Sequence, residues 1–206
     1  FDFCFLGDEK GTKSEVGETL LVLVVREIQS KMTLSAGAPS KSTGTFIAKR
    51  CISFLREIGC EACDVIVKSD NEPAVTSIIA EVGRMRAATG GGTWNVENSP
   101  VGSSASNGIV ERAIRSVSQQ VRVMKDGLEH KAKMLIDARH PLMPWIVEYA
   151  GHLLNRFEVS QDGKTAYERL KGKAARTLGI EFGESVLWKR RAVGGALAKA
   201  TCSWED

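Results

Sequence analysis

Two acidic residues stand where chemistry on a divalent metal would want them. The segment from Asp64 to Lys68 is short and mostly β-branched, so it reads as a buried strand, and Asp70 falls just beyond its end. Open α/β sheets collect their ligands at that position. Glu111 follows a cluster of Ser, Gly and Asn that ends an irregular loop, which puts it in the first turn of a new helix. An acid there suits the positive end of the helix dipole.

The 40 residues between Asp70 and Glu111, and the passage Ser99-Pro100 through Ser106-Asn107-Gly108 to Val110-Glu111-Arg112, resemble the last two acids and their surroundings in the Asp, Asp, Glu triad of retroviral and retrotransposon integrases. The resemblance implies a ribonuclease H-like fold with a first acid on the first strand. Phe1-Asp2-Phe3-Cys4-Phe5-Leu6 supplies Asp2 there. Asp8 is a rival, but it follows Gly7 in a loop, whereas a metal site calls for a rigid element. One departure stands: the family often has Asn-Gly and an aromatic after the second acid, and here Asn71 is followed by Glu72, Pro73 and Ala74.

Magnesium takes hard oxygen ligands, keeps several waters and needs only a few carboxylates plus substrate phosphate. Asp2, Asp70 and Glu111 match that in number and type, for two Mg2+ or Mn2+ ions. Two such ions serve in-line displacement at phosphorus without a protein nucleophile. The resemblance further implies DNA as partner, both element ends and target, a homo-oligomer, and action in the nucleus of a cell.

The elements that must position these acids follow from pattern. Phe1 to Leu6 is a first strand, followed by a polar loop from Gly7 to Ser14. Thr19 to Ile28 is a second strand, continuously apolar from Leu20 to Val25 and so buried on both faces. Lys31 to Ser35 reads as an edge strand. Phe46, Ile47, Cys51, Phe54, Leu55 and Ile58 predict a helix over Thr45 to Ile58, stopped by Gly59. Pro73 opens another, with Val75, Ile78, Ile79 and Val82 on its apolar face. Gly90-Gly91-Gly92 reads as a flexible break before a fifth strand, Thr93 to Glu97. That order gives a mixed five-stranded sheet flanked by helices.

On the helix from Asn107 to about Gly127, Val110, Ala113, Ile114, Val117, Val121 and Met124 form a core stripe. Glu111, Arg115, Ser118, Arg122 and Lys125 share another. Asn107 and Arg112 are assigned to positioning the loop and phosphates, and Arg115, Arg122 and Lys125 to the DNA backbone. Pro144 opens a further helix to about Arg156, in which Trp145, Tyr149 and Phe157 read as core. The stretch Gly163 to Gly172 and the pair Phe182-Gly183 resemble the tail after retrotransposon integrase cores. Ser185 to Lys189 reads as a strand with Lys189-Arg190-Arg191 as a basic edge. The chain thus divides into a catalytic core over 1–128, a helical extension over 129–183 and a small β tail over 184–206.

The composition bounds rather than identifies. The 206 residues are 43% hydrophobic and 26% charged, and 28 basic against 25 acidic residues leave a net charge of +3. A charge that mild does not by itself indicate nucleic acid, so the argument rests on where the bases cluster. No run reaches the length of a membrane span. Asp2 lying almost at the start suggests a piece of a longer polyprotein. The five cysteines form no disulfide framework and suit a reducing interior. Cys60-x-x-Cys63 invites a zinc or redox reading, set against ordinary buried thiols. Besides an integrase, the triad fits a nuclease or transposase on the same fold, and a domesticated binding module without turnover stands as the non-enzymatic alternative.

Overall fold

The computed structural model describes residues 1–7, 19–38, 45–69, 72–98, 108–176, 180–186, 188–189 and 204–205. Two compact units divide the chain, Phe1–Arg176 and Thr177–Asp206.

In the first unit three antiparallel strands, β1 (Asp2–Gly7), β2 (Thr19–Arg26) and β3 (Thr33–Ala38), form a sheet in the order β1-β2-β3. After α1 (Thr45–Glu57), β4 (Val65–Ser69) pairs in parallel with β5 (Trp94–Asn98) across α2 (Pro73–Ala88). The expected five strands are therefore present, but as sheets of three and two rather than one continuous sheet. The amino nitrogen of Phe1 donates to the Lys68 carbonyl at 3.1 Å, so the start of β1 lies beside β4. A ladder needs a run of such bonds, and the described residues do not form one there.

Leu21 to Val25 are buried throughout, which is why the run carries no polar alternation. β4 differs from the fully buried strand expected. Val67 and Ser69 are buried, whereas Ile66 is 61% exposed and Lys68 pairs with Glu97 across the ladder at 3.2 Å. One face of the β4–β5 pair therefore meets solvent. β3 is an edge strand guarded from both sides. Ile47, Ala48 and Cys51 of α1 join Leu34, Ala36 and Ala38 in the core, while Phe46 is exposed.

On the other face of β3 lies α4 (Met143–Phe157). Its buried stripe is Met143, Ile146, Val147, Ala150, Gly151 and Asn155, which turns Trp145, 68% exposed, and Phe157 outward rather than into the core. The packing is close: a Cβ on Gly151 would strike Ser35 Oγ. The Asn155 side chain brackets the Thr33 backbone, accepting from its N–H and donating to its carbonyl, both at 2.7 Å. This pairing satisfies edge groups that would otherwise be buried unpaired.

In the run read as a flexible break, Gly91 and Gly92 are closely packed while Gly90 has open space around it. Gly90 takes φ +74°, and a Cβ on Gly92 would lie 2.6 Å from the Ala62 carbonyl oxygen. Arg86, 2% exposed, donates to the carbonyls of Cys60 and Cys63 at 2.8 and 2.5 Å and lies over the Trp94 ring. Asp64 accepts from the Thr93 N–H at 2.7 Å, and this contact with Thr93 holds its carboxyl below the usual range.

α3 (Gly108–Ala132) runs through residue 128, past the stop expected at Gly127. α5 (Ala166–Lys171) opens with a capping box between Thr165 and Glu168. Arg169 grips Asp162 with two bonds of 3.0 and 2.5 Å, lowering that carboxyl to about 2, and also reaches the Ser30 carbonyl. In the second unit β6 (Trp188–Lys189) pairs antiparallel with β7 (Trp204–Glu205). Of the strand expected from Ser185, Trp188 and Lys189 lie in β6 and Ser185 and Val186 do not, while Leu187, Arg190 and Arg191 lie outside the described residues.

Candidate active site

Asp2 and Cys4, two apart on β1, share a face of that strand. Asp2 Oδ1 accepts the Phe3 N–H at 2.7 Å. The Cys4 thiol is pushed up to about 11, first by burial and then by the negative charge of Asp2, while a hydrogen bond with Ser118 opposes the rise. Cys4 is thus a neutral neighbour of the acid, and its contact with Ser118 docks α3 on β1.

On α3 the apolar stripe holds: Val110, Ala113, Val117 and Val121 are buried, with Ile114 and Met124 half-buried. Glu111 occupies the first turn and is exposed. Arg112 turns back and donates from Nε to the Gly108 carbonyl at 3.1 Å. Arg115 is exposed, immediately before the half-buried Ser116. Arg122 and Lys125 line a cavity of about 800 Å³ together with Phe5, Leu6 and Leu135. Lys125 lies 3.7 Å from Glu129, so its charge is shared with an acid on its own helix.

These contacts set the sense in which α3 lies along β1. Cys4 meets Ser118, and the next residues of β1, Phe5 and Leu6, share a cavity wall with Val121, Arg122 and Lys125 one turn or more further along α3. Both elements therefore advance in the same direction. Stepping back from that contact, Asp2 lies two residues before Cys4, roughly 7 Å along a strand. Glu111 lies seven residues before Ser118, about 10 Å along a helix. Asp2 and Glu111 thus both precede the meeting of Cys4 with Ser118, on elements that advance the same way.

The bond from Phe1 to the Lys68 carbonyl brings the end of β4 to the start of β1. Ser69, 1% exposed, has a hydroxyl with no hydrogen-bond partner among the described residues. Asp70 and Asn107 lie outside the described residues, as does the rival Asp8. Among the described residues no three His, Cys, Asp or Glu are gathered as a metal cluster. The donors that are described fit magnesium in type, since Asp2 and Glu111 offer hard oxygens and the one sulfur nearby is held protonated. Cys4 and Ser118 were not singled out from the sequence as functional. The signal was there, in the two-residue step from Asp2 and the shared helical stripe with Glu111.

No family model matches the sequence, and no curated protein matches it. Solved structures do. The catalytic core domain of BIV integrase matches with a TM-score of 0.51 at 15% identity, over 82% of this chain and 90% of that one. The HTLV-2 integrase catalytic core domain in complex with magnesium, in its trimeric form, matches with a TM-score of 0.52 at 15% identity, over 82% and 92%. A chain of the simian T-cell lymphotropic virus intasome, in complex with PP2A regulatory subunit B56 gamma, matches with a TM-score of 0.59 at 11% identity, over 91% of this chain and 59% of that one. The chain has the fold of a retroviral integrase catalytic core.

Proposed function

We propose that this chain is the catalytic core of a retrotransposon integrase, a polynucleotidyl transferase that trims DNA ends and joins their 3′ hydroxyls to target DNA. The observation that carries the reading is the integrase-core fold, and the parallel course of β1 and α3, with Asp2 and Glu111 both ahead of the residues that share a cavity wall, supports it. Asp70, two residues past the carbonyl that Phe1 engages, supplies the third carboxylate. Asp2, Asp70 and Glu111 would hold two Mg2+ or Mn2+ ions, which when bound activate an attacking oxygen and stabilise the leaving one.

The chain's own residues supply position. Asn107 and Arg112 order the loop that precedes α3, and Arg112 does so through its bond to Gly108. Arg115 and Arg122 present cations to the DNA backbone along the exposed stripe, with Lys125 contributing less because Glu129 shares it. Segment 129–183 acts as a helical extension of the core and 184–206 as the start of a further module. DNA ends and target DNA are the substrates, the working form is a homo-oligomer, and its place of action is the nucleus. The test is joining of labelled DNA ends to a target duplex by the full-length protein, with and without Mg2+. Metal-dependent joined products are the expected result. Cleavage by water with no joining would favour the nuclease reading.

A further inference from the structure

The four cysteines among the described residues differ in exposure. Burial pushes Cys51 up to about 12, and burial with the charge of Asp2 pushes Cys4 up to about 11, so both are poor nucleophiles. Cys60 and Cys63 sit on the loop between α1 and β4, Cys60 half-buried and Cys63 exposed, which corrects the expectation of ordinary buried thiols. Cys63 Sγ donates to the Gly59 carbonyl at 3.5 Å, and Cys60 is pushed up by burial and by the neighbouring Cys63 thiol. One guanidinium fixes both backbones, since Arg86 holds the carbonyls of Cys60 and Cys63 together. The glycine joint at Gly91 and Gly92 packs under the same loop. Nothing in the proposed DNA chemistry uses this arrangement. It lies at the start of β4, the whole strand away from the Lys68 end, roughly 16 Å for five residues.

We propose that Cys60 and Cys63 are a redox modification site, a vicinal dithiol that closes reversibly to a disulfide when a peroxide or a small-molecule disulfide reaches it. With hydrogen peroxide, the exposed Cys63 thiolate attacks one oxygen, the O–O bond breaks, and water leaves after protonation of the departing hydroxide. The resulting sulfenic acid is attacked by Cys60, the S–O bond breaks, and a second water is released as the S–S bond forms. Two thiols lose two electrons and the peroxide gains them. A dithiol reductant reverses the change by exchange. The two thiols stand three positions apart on one loop, and Arg86 keeps that loop in place while they close.

The experiment treats the folded, reduced full chain with hydrogen peroxide and, separately, with oxidised glutathione, then alkylates and maps peptides by mass spectrometry. The expected result is a disulfide within the peptide that carries both Cys60 and Cys63, reversed by dithiothreitol, while Cys51 stays alkylatable only after unfolding. Cys60→Ser, which cannot close the ring, should accumulate a glutathione adduct on Cys63. Both thiols remaining free at oxidant levels that modify exposed cysteine, or oxidation that joins either one to a different cysteine, would overturn the proposal.

Discussion

Cys4 on β1 neighbours Ser118 on α3, and the residues that follow Cys4, Phe5 and Leu6, share a cavity wall with Ser118 and Val121, so this juxtaposition sets how far α3 is advanced along the strand that carries Asp2. It is worth little as energy and much as register. A double-mutant cycle between Cys4→Ala and Ser118→Ala should show a coupling of about 0.5 to 1 kcal/mol in chemical denaturation. Strict additivity would mean the two side chains do not meet in solution.

Arg86 is the buried cation that ties the end of α2 to the loop before β4. Replacing it with leucine strands two carbonyls and removes the stack on Trp94, so the loss of stability should be about 2 to 4 kcal/mol. Arg86→Lys, able to reach one carbonyl, should fall between. Urea unfolding of the three proteins decides it, and a change below about 0.5 kcal/mol, the range of ordinary surface substitutions, would contradict the clamp.

The glycines offer a pair of opposite signs. Gly92→Ala drives a Cβ to 2.6 Å from the Ala62 carbonyl oxygen and 2.7 Å from Cys63 backbone, so it should destabilise by about 1 to 3 kcal/mol, as overpacking does. Gly127, within α3, meets nothing within 4 Å, and alanine there should stabilise by about 0.5 to 1 kcal/mol. Thermal melts of both variants read the contrast. Equal melting temperatures would remove the claim that Gly92 is a packing glycine.

What was legible in the sequence was what burial writes as a period. The stripe Val110, Ala113, Val117, Val121 on α3 and the run Val75, Ile78, Ile79, Val82 on α2 are buried as their spacing predicts. Arg86 was missed because a charged residue is ordinarily a stop in such a pattern, yet it sits four residues after Val82 on the same stripe and is buried by the partners it satisfies. Trp145 and Phe157 were misplaced because size suggested core, while the face of α4 that meets β3 is the stripe of Met143, Ile146, Val147, Ala150, Gly151 and Asn155, from which both aromatics are turned away. Ile66 failed for a related reason, since β-branching marks a strand without saying that both its faces are covered. Of the candidate site, the stripe from Glu111 to Lys125 was readable, but the Lys125–Glu129 pairing was not weighed.

That pairing lowers what the basic stripe should contribute to DNA. Each phosphate contact adds about 0.9 to the salt slope on duplex DNA, so Arg115→Ala with Arg122→Ala should remove about 2 units, and Lys125→Ala should add a fraction more. Salt titration of duplex binding without metal measures it. Parallel slopes for wild type and the double variant would mean that the stripe faces solvent and that DNA is held elsewhere.

The central claim is that Asp2, Asp70 and Glu111 act together, and the most direct measurement is joining of labelled DNA ends by wild type, Asp2→Asn, Asp70→Asn and Glu111→Gln in Mg2+, with circular dichroism and melting temperature taken on the same samples. Each substitution keeps shape and removes charge, so the account predicts loss of joining to background in all three with melting unchanged within a few degrees. Near wild-type joining by any one of them, in a folded sample, would contradict it.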